Sequence, residues 1–163
     1  MGVRKASFAD MNCSIAQSLE IIGEWWTLLI LRDAFLGVTR FEEWQERLGI
    51  ARNILTKRLD TLVEHGVMER RYYDESRGRA DYKLTEKGKA LWPVLVTIRQ
   101  WGDEWITGTE HAPVTLLHTT CGHATTAHLA CDHCGDWLER RDIRAIGGPG
   151  LDDQAFLRAS ASD

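Results

Sequence analysis

Glycines divide the first 66 residues of this chain into short segments whose apolar residues recur at helical spacing. The segments end at Gly23, Gly37, Gly49 and Gly66. Apolar residues three and four apart predict amphipathic helices, and a glycine after the last apolar position predicts where each helix ends. The last two segments are about one turn apart, so the pattern predicts a helix-turn-helix.

Local signals refine the predicted helices. Ser14 is followed by Gln17, and Thr39 is followed by Glu42. Both pairs match a capping box, in which the first side chain accepts a hydrogen bond from a free backbone N–H group at the helix start. Segment 25–35 is apolar on most sides, which predicts the central helix of the core.

The apolar spacing changes after residue 66. Residues 67–74 and 80–85 alternate as strands do, and the basic, turn-prone sequence ESRGR joins them, so the sequence predicts a β-hairpin, or wing. Thr85 is predicted to cap a long helix in which Pro93 produces a kink or break. The fold class is mainly α with a small β wing (α+β), a winged helix-turn-helix followed by a small β-rich module. The predicted divisions are 8–111 for DNA binding and dimerisation, 112–148 for the β-rich module, and 149–163 for a flexible tail.

Polar side chains cover the fourth helix opposite its leucines. They are Arg52, Asn53, Thr56 and Lys57, all in the N-terminal half, which enters the major groove in helix-turn-helix proteins. Arg and Asn pair with guanine and adenine edges, whereas Thr and Lys suit phosphates or thymine methyl groups. At the wing tip, Arg77 and Arg79 flank Gly78 and are predicted to contact the phosphate backbone or the minor groove.

The alternative for these side chains is an ordinary solvated helix face. Residues 52–83 contain eight Lys or Arg and six Asp or Glu, so this part is net positive in a chain of net charge −4. The order of basic helix, hairpin and basic tip favours a nucleic-acid interface.

Residues 12–106 resemble the HxlR-type winged-helix transcriptional regulators, relatives of the MarR group. Trp26 with LLILRD, the pair Arg40-Phe41, and the sequences GIARNILTKRL and YKLTEKG carry the resemblance. It implies a homodimer formed by the N-terminal helices and the long helix after the wing. It also implies a pseudo-palindromic operator of double-stranded DNA, read by paired 51–65 helices with the wing tips, 75–79, on flanking DNA. The seven Trp residues independently favour a subunit interface.

The chain departs from the family pattern at three places. Trp25 stands where the family often has Lys, and the wing tip lacks the usual prolines. Ser14 follows Cys13 where Pro is usual. In some members this Cys senses oxidants or electrophiles, so Cys13 is a candidate redox sensor. The competing interpretation is a small buried hydrophobic residue.

Residues 118–136 contain three of the four Cys and four of the six His of the chain. His118 and Cys121, like Cys131 and Cys134, are separated by two residues and followed by Gly, which is the spacing of a zinc knuckle. The four side chains are therefore predicted to ligate a structural zinc ion in a ribbon-like module. His123 is the rival fourth ligand, with His128 and His133 as weaker candidates.

Other chemistry for this segment fits less well. A redox CxxC pair belongs at a helix start within a βαβ unit, which the surrounding sequence does not predict. Catalytic zinc needs an open position and a general base in a cleft. Cysteines that lie near one another without metal are the remaining alternative.

The leading hypothesis is a DNA-binding regulator, and the runner-up is an interaction module, or a zinc or thiol enzyme, on a degenerate winged helix. No Gly-rich phosphate loop, Ser/His/Asp arrangement or catalytic carboxylate pair is recognisable, so the sequence predicts no enzyme. No apolar run matches a signal peptide or a membrane span, which predicts a cytoplasmic protein without membrane contact. A small-molecule effector bound between the wing domain and the dimer helices is a further hypothesis.

Overall fold

The computed structural model describes residues 7–74, 76 and 78–150. The chain divides into two compact units between Trp101 and Gly102, whereas the sequence placed the division at 111/112. Within the described residues, no helix has the length and apolar character needed to cross a membrane.

The first unit is a winged helix-turn-helix, as the sequence predicted. Its elements are α1 (Ser14–Ile22), α2 (Trp25–Phe35), α3 (Phe41–Leu48), α4 (Arg52–Glu64), β1 (Met68–Asp74), β2 (Arg79–Leu84), α5 (Glu86–Lys89) and α6 (Trp92–Gly102). Gly49 ends α3 with φ at +62°, a left-handed conformation that Gly adopts without strain. Helix α4 with its caps, Ala51 and His65, covers the predicted reading helix 51–65.

The core lies where α2, α3, α4 and the wing meet. Ile30 and Leu31 of α2 are fully buried, as are the α4 leucines Leu55, Leu59 and Leu62. The Trp44 ring of α3 meets the Tyr82 ring edge-on at 6.1 Å, and its indole N–H donates to the Ile30 carbonyl at 3.2 Å. The α4 leucines fix the helix by one face, so its opposite face points away from the core.

Strands β1 and β2 form the predicted antiparallel wing, with an irregularity between Tyr72 and Asp74. The segment before α3 joins the same sheet. Tyr82 donates its backbone N–H to the Thr39 carbonyl at 2.8 Å, and Arg40 forms an isolated antiparallel β-bridge with Asp81. The wing is thereby fastened to the helix-turn-helix.

Both capping-box predictions are wrong. The N-cap of α1 is Cys13 and that of α3 is Arg40, and neither side chain makes a cap hydrogen bond. Gln17 instead donates its side-chain amide to carbonyls of the preceding segment, including Ala9 at 2.7 Å. The Thr39 carbonyl accepts a hydrogen bond from the wing strand β2. Tertiary hydrogen bonding therefore decides where α3 starts.

The predictions for the segment after the wing are confirmed. The Thr85 hydroxyl caps α5 by accepting the backbone N–H of Gly88 at 3.2 Å. The helix then breaks, and α6 begins at Trp92, immediately before Pro93.

The second unit begins with a π-helical turn (Asp103–Thr107) and a 3₁₀ turn (Thr109–His111). Strands β3 (Leu116–His118) and β4 (His123–Thr125) then pair antiparallel, and Ala130 bridges Trp137. A 3₁₀ turn (Arg140–Asp142) follows. The predicted tail, 149–163, lies outside the described residues except for its first two.

Candidate nucleic-acid interface

The four predicted DNA-contacting residues of α4 share one exposed helix face. All of them are solvent-exposed, whereas Leu55 and Leu59 on the opposite face are fully buried. Because the leucines anchor the helix, the polar face is presented by a fixed element and not by a mobile loop. This is the arrangement that insertion of the N-terminal half into a major groove requires.

Arg52 is positioned by a neighbouring aromatic ring. Its guanidinium lies over the ring of Phe41, 4.8 Å from the ring centroid. Phe41 is the first residue of α3 and Arg52 is the first residue of α4, so the cation–π contact joins the two helices at their starts. The contact restricts the Arg52 side chain before any partner is bound.

The other three residues differ in how far they are engaged. The Thr56 hydroxyl donates to the Arg52 carbonyl at 2.9 Å, within its own helix. Among the described residues, the side chains of Asn53 and Lys57 have no hydrogen-bond or ion-pair partner. Their polar groups are therefore available to an external ligand.

The first turn of α4 is electropositive. It contains no acidic residue, and the N-cap Ala51 provides no side-chain acceptor for the free backbone N–H groups. Such N–H groups, together with the helix dipole, favour an anion such as a phosphate.

An acidic residue on the same helix is neutralised by the wing. Asp60 forms an ion pair with Arg70 of β1, whose guanidinium also lies 5.2 Å from the Tyr82 ring centroid. A hydrogen bond with the Tyr72 hydroxyl, followed by that with Asp60, raises the pKa of Arg70 above its usual value. Burial is the main cause that raises the pKa of Tyr82. The contacts of Arg70 with Asp60, Tyr72 and Tyr82 hold the wing against α4. Because Asp60 is neutralised, the N-terminal turn is the electropositive end of α4.

Only part of the predicted wing tip is described. Arg79 is exposed at the start of β2, opposite Asp74, whereas Arg77 lies outside the described residues. Gly78 has φ at +61°, which supports the predicted turn.

Sequence patterns did not single out three residues beside this surface. Trp25 was assigned to the core helix, but it is 89% exposed and borders a cleft of about 420 Å³ with Asn53 and Lys57. The Arg40 guanidinium lies 5.6 Å from the Tyr73 ring centroid on the wing, and the Phe41 ring contacts the Arg52 guanidinium. Arg40 and Phe41 were recognisable only as family signatures, because their roles depend on contacts distant in sequence.

The predicted metal ligands form two separate pairs. The Cys121 sulfur lies 3.3 Å from Nδ1 of His118. Backbone N–H groups of Cys134 and then His133 hydrogen-bond the Cys131 sulfur and lower the pKa of Cys131. Within the described residues, no three His, Cys, Asp or Glu side chains lie together as one metal-holding group.

The candidate redox sensor Cys13 is half-buried and has a free thiol. It is the N-cap of α1, and its backbone N–H donates to the Met11 carbonyl at 2.8 Å. A sensing role for Cys13 stays a prediction.

Comparisons with known proteins agree with this geometry. A family model described as HxlR-like helix-turn-helix matches residues 21–110. An uncharacterized HTH-type transcriptional regulator of Mycobacterium tuberculosis is 44% identical over 151 residues, 93% of this chain and 96% of that protein. The crystal structure of PA1607, a proposed transcription factor, has a TM-score of 0.76 and 41% identity and covers 86% of this chain and 99% of that chain. PA1374 of Pseudomonas aeruginosa, also a proposed transcription factor, has a TM-score of 0.63 and 35% identity, covering 91% of this chain and 99% of that chain.

Proposed function

The chain belongs to the HxlR-like helix-turn-helix family, and on this premise we propose that it is a sequence-specific DNA-binding transcriptional regulator. It acts as a homodimer on a pseudo-palindromic operator of double-stranded DNA. The paired 51–65 helices lie in successive major grooves, and the wing tips, 75–79, contact flanking backbone or minor groove.

The observation that carries this proposal is the anchored polar face of α4. The face combines two cations, an amide and an uncapped helix N-terminus on a helix fixed by fully buried leucines. Arg52 supplies bidentate donors for guanine, and Asn53 supplies the donor and acceptor that match adenine. Lys57 and the free backbone N–H groups suit phosphates.

Exposed apolar residues support the dimer. On α1, Ile15 is 72% exposed, and on α6, Trp101 is 59% exposed together with Trp92 and Ile98. Large apolar side chains of this kind are normally covered by protein, and both helices belong to the part that the family resemblance assigns to dimerisation. A two-fold pair would place two α4 helices on one duplex.

The test is selection of operator DNA by the purified full-length protein from a random duplex pool. We expect enriched sites that contain two inverted half-sites with centres about 10 base pairs apart, or a multiple of that spacing. Affinity for the enriched site should fall steeply with salt, because neutralised phosphates release counterions. No enrichment, together with salt-insensitive binding, contradicts the proposal.

A duplex with the half-sites scrambled is the matched control. It should retain only weak, salt-dependent binding, since phosphate contacts do not distinguish sequences. Equal affinity for both duplexes would show that the protein coats DNA without reading it. Once an operator is identified, any small-molecule effector can be found by the change that it causes in the affinity of the protein for that operator.

A further inference from the structure

The two predicted ligand pairs, His118 with Cys121 and Cys131 with Cys134, occupy the same position in two similar hairpin turns. Strands β3 and β4 pair up to His118 and His123, and the Gly122 N–H donates to the His118 carbonyl at 2.7 Å. In the second turn, the Gly135 N–H donates to the Cys131 carbonyl at 2.9 Å. Both turns thus close by a hydrogen bond from the Gly to the first residue of the pair.

Both glycines have the left-handed conformation that this turn needs. The φ values are +72° at Gly122 and +80° at Gly135. The second hairpin is held further by hydrogen bonds of 2.8 Å from Cys131 N–H to the Asp136 carbonyl and 2.9 Å from Leu138 N–H to the Leu129 carbonyl. Two sequences that share only ligand-x-x-Cys-Gly therefore fold into one geometry.

The distance within the first pair matches that between two metal ligands. Zn–S and Zn–N bonds of about 2.3 and 2.0 Å at a tetrahedral angle place the two donor atoms about 3.5 Å apart. The Cys121 sulfur and Nδ1 of His118 are 3.3 Å apart.

The described part of the second unit lacks a hydrophobic core of its own. None of its described residues, 102–150, is buried, and Leu117, Leu129 and Trp137 are each more than 60% exposed. All four thiols are free, so no disulfide stabilises it. Modules of this size usually need a metal or disulfides to fold, because they bury too little apolar surface.

We propose that the two hairpins together bind one structural zinc ion through His118, Cys121, Cys131 and Cys134. This site is independent of the proposed DNA-binding function. Three thiolates and one imidazole form a donor set that suits tetrahedral Zn²⁺. Among the described residues the two pairs do not lie together as one metal-holding group, so the proposed site requires them to come together when the ion binds. The ion then supplies folding energy that the exposed apolar side chains do not.

Contacts around the histidines favour His118 over its rivals as fourth ligand. Nδ1 of His123 lies 2.8 Å from the Cys121 carbonyl oxygen, so one ring nitrogen is already engaged with backbone. His128 stacks on Trp137 with ring centroids 4.2 Å apart, and its Nε2 lies 3.0 Å from the Thr126 hydroxyl. Of these three described histidines, only His118 has a ring nitrogen beside a predicted sulfur ligand.

The first test measures metal in the full-length protein purified without chelators. We expect one zinc per chain, and loss of that zinc in both Cys121→Ser and Cys131→Ser. Cys13→Ser is the matched control, since it removes a thiol from the other unit and should keep the zinc. Metal-free wild-type protein that also fails to bind added Zn²⁺ overturns the proposal, as does zinc retained in both serine variants.

A second measurement does not depend on the folding of any variant. Co²⁺ bound to the wild-type chain should give the visible bands of a tetrahedral site and strong thiolate charge-transfer absorption. The thiols of Cys121, Cys131 and Cys134 should resist alkylation until a strong chelator is added. Octahedral Co²⁺ spectra or chelator-independent alkylation overturn the site.

A pair of histidine variants tests the fourth ligand. His118→Ala should weaken zinc affinity by about 10- to 100-fold or more, whereas His123→Ala should leave it nearly unchanged. The reverse result overturns the assignment of His118.

Discussion

The carboxylate of Asp33 in α2 is fully buried and accepts a hydrogen bond at 3.3 Å from Nε of Arg47 in α3. Arg32 donates to the other carboxylate oxygen at 2.9 Å. Both arginine side chains are about half exposed, so only the carboxylate has lost its water. Burial of this charge is tolerated because two guanidinium groups compensate it. The pair fixes α3 on α2 and so helps to set the position of the reading helix.

Removal of the Asp33 charge should therefore lower stability more than removal of an arginine from an exposed ion pair. We expect Asp33→Asn to reduce the free energy of unfolding by about 1–3 kcal/mol, because a buried charge-assisted network is broken. Arg141→Met is the control, since Arg141 is mostly exposed in its pair with Glu139 and should change stability by less than about 0.5 kcal/mol. Urea unfolding followed by circular dichroism measures both, and equal effects would contradict the structural role of Asp33.

Gly88 should not tolerate a side chain. A Cβ atom at this position would lie 2.2 Å from the Val67 carbonyl oxygen, which is backbone and cannot move away easily. Gly88→Ala is expected to lower the free energy of unfolding by about 1–3 kcal/mol through overpacking. Gly102→Ala is the matched control, because nothing lies within 4 Å and the added helix propensity contributes up to about 1 kcal/mol of stability. A thermal unfolding midpoint that rises in Gly88→Ala would refute this account.

Phe41 should affect DNA binding through Arg52. Loss of the cation–π contact in Phe41→Leu is expected to weaken operator affinity about two- to fivefold, which corresponds to about 0.5–1 kcal/mol. Arg52→Ala should cost about 1–3 kcal/mol and relax specificity at one base pair. If Phe41 acts only by positioning Arg52, its replacement has no additional effect in the Arg52→Ala background. Additive losses in a gel-shift cycle would show that Phe41 acts in another way.

Charge on the exposed face of α6 should dissociate the proposed dimer. Trp101→Glu is expected to raise the dimer dissociation constant by about tenfold or more, because an unpaired carboxylate would be buried at the interface. Trp25→Glu is the control, since Trp25 is 89% exposed and lies beside α4 rather than on α1 or α6. Sedimentation velocity measures the oligomeric state, and a wild-type monomer at micromolar concentration would contradict the dimer.

The helix-turn-helix and its wing were predictable because their signals are local. Glycine stops, apolar spacing and the basic tip lie within a few residues of one another, and these gave α2, α4, the wing and the break near Pro93. Helix starts were less predictable. Ser14 and Thr39 matched a capping box, but Gln17 bonds the preceding segment and the backbone of Thr39 bonds the wing sheet. Long-range hydrogen bonds overrode the local pattern at both positions.

The sequence by itself determined the order of the elements, the polar face of α4 and the repeated ligand-x-x-Cys-Gly spacing. Each depends on the period of a helix or the geometry of a tight turn, which nearby residues specify. Only the tertiary structure decided that the Phe41 ring packs against the Arg52 guanidinium and that Trp25 is exposed. It also decided that Arg70 forms an ion pair with Asp60. These relationships join residues from different elements. They arise from how the helices and wing pack, which the local pattern of one segment does not specify.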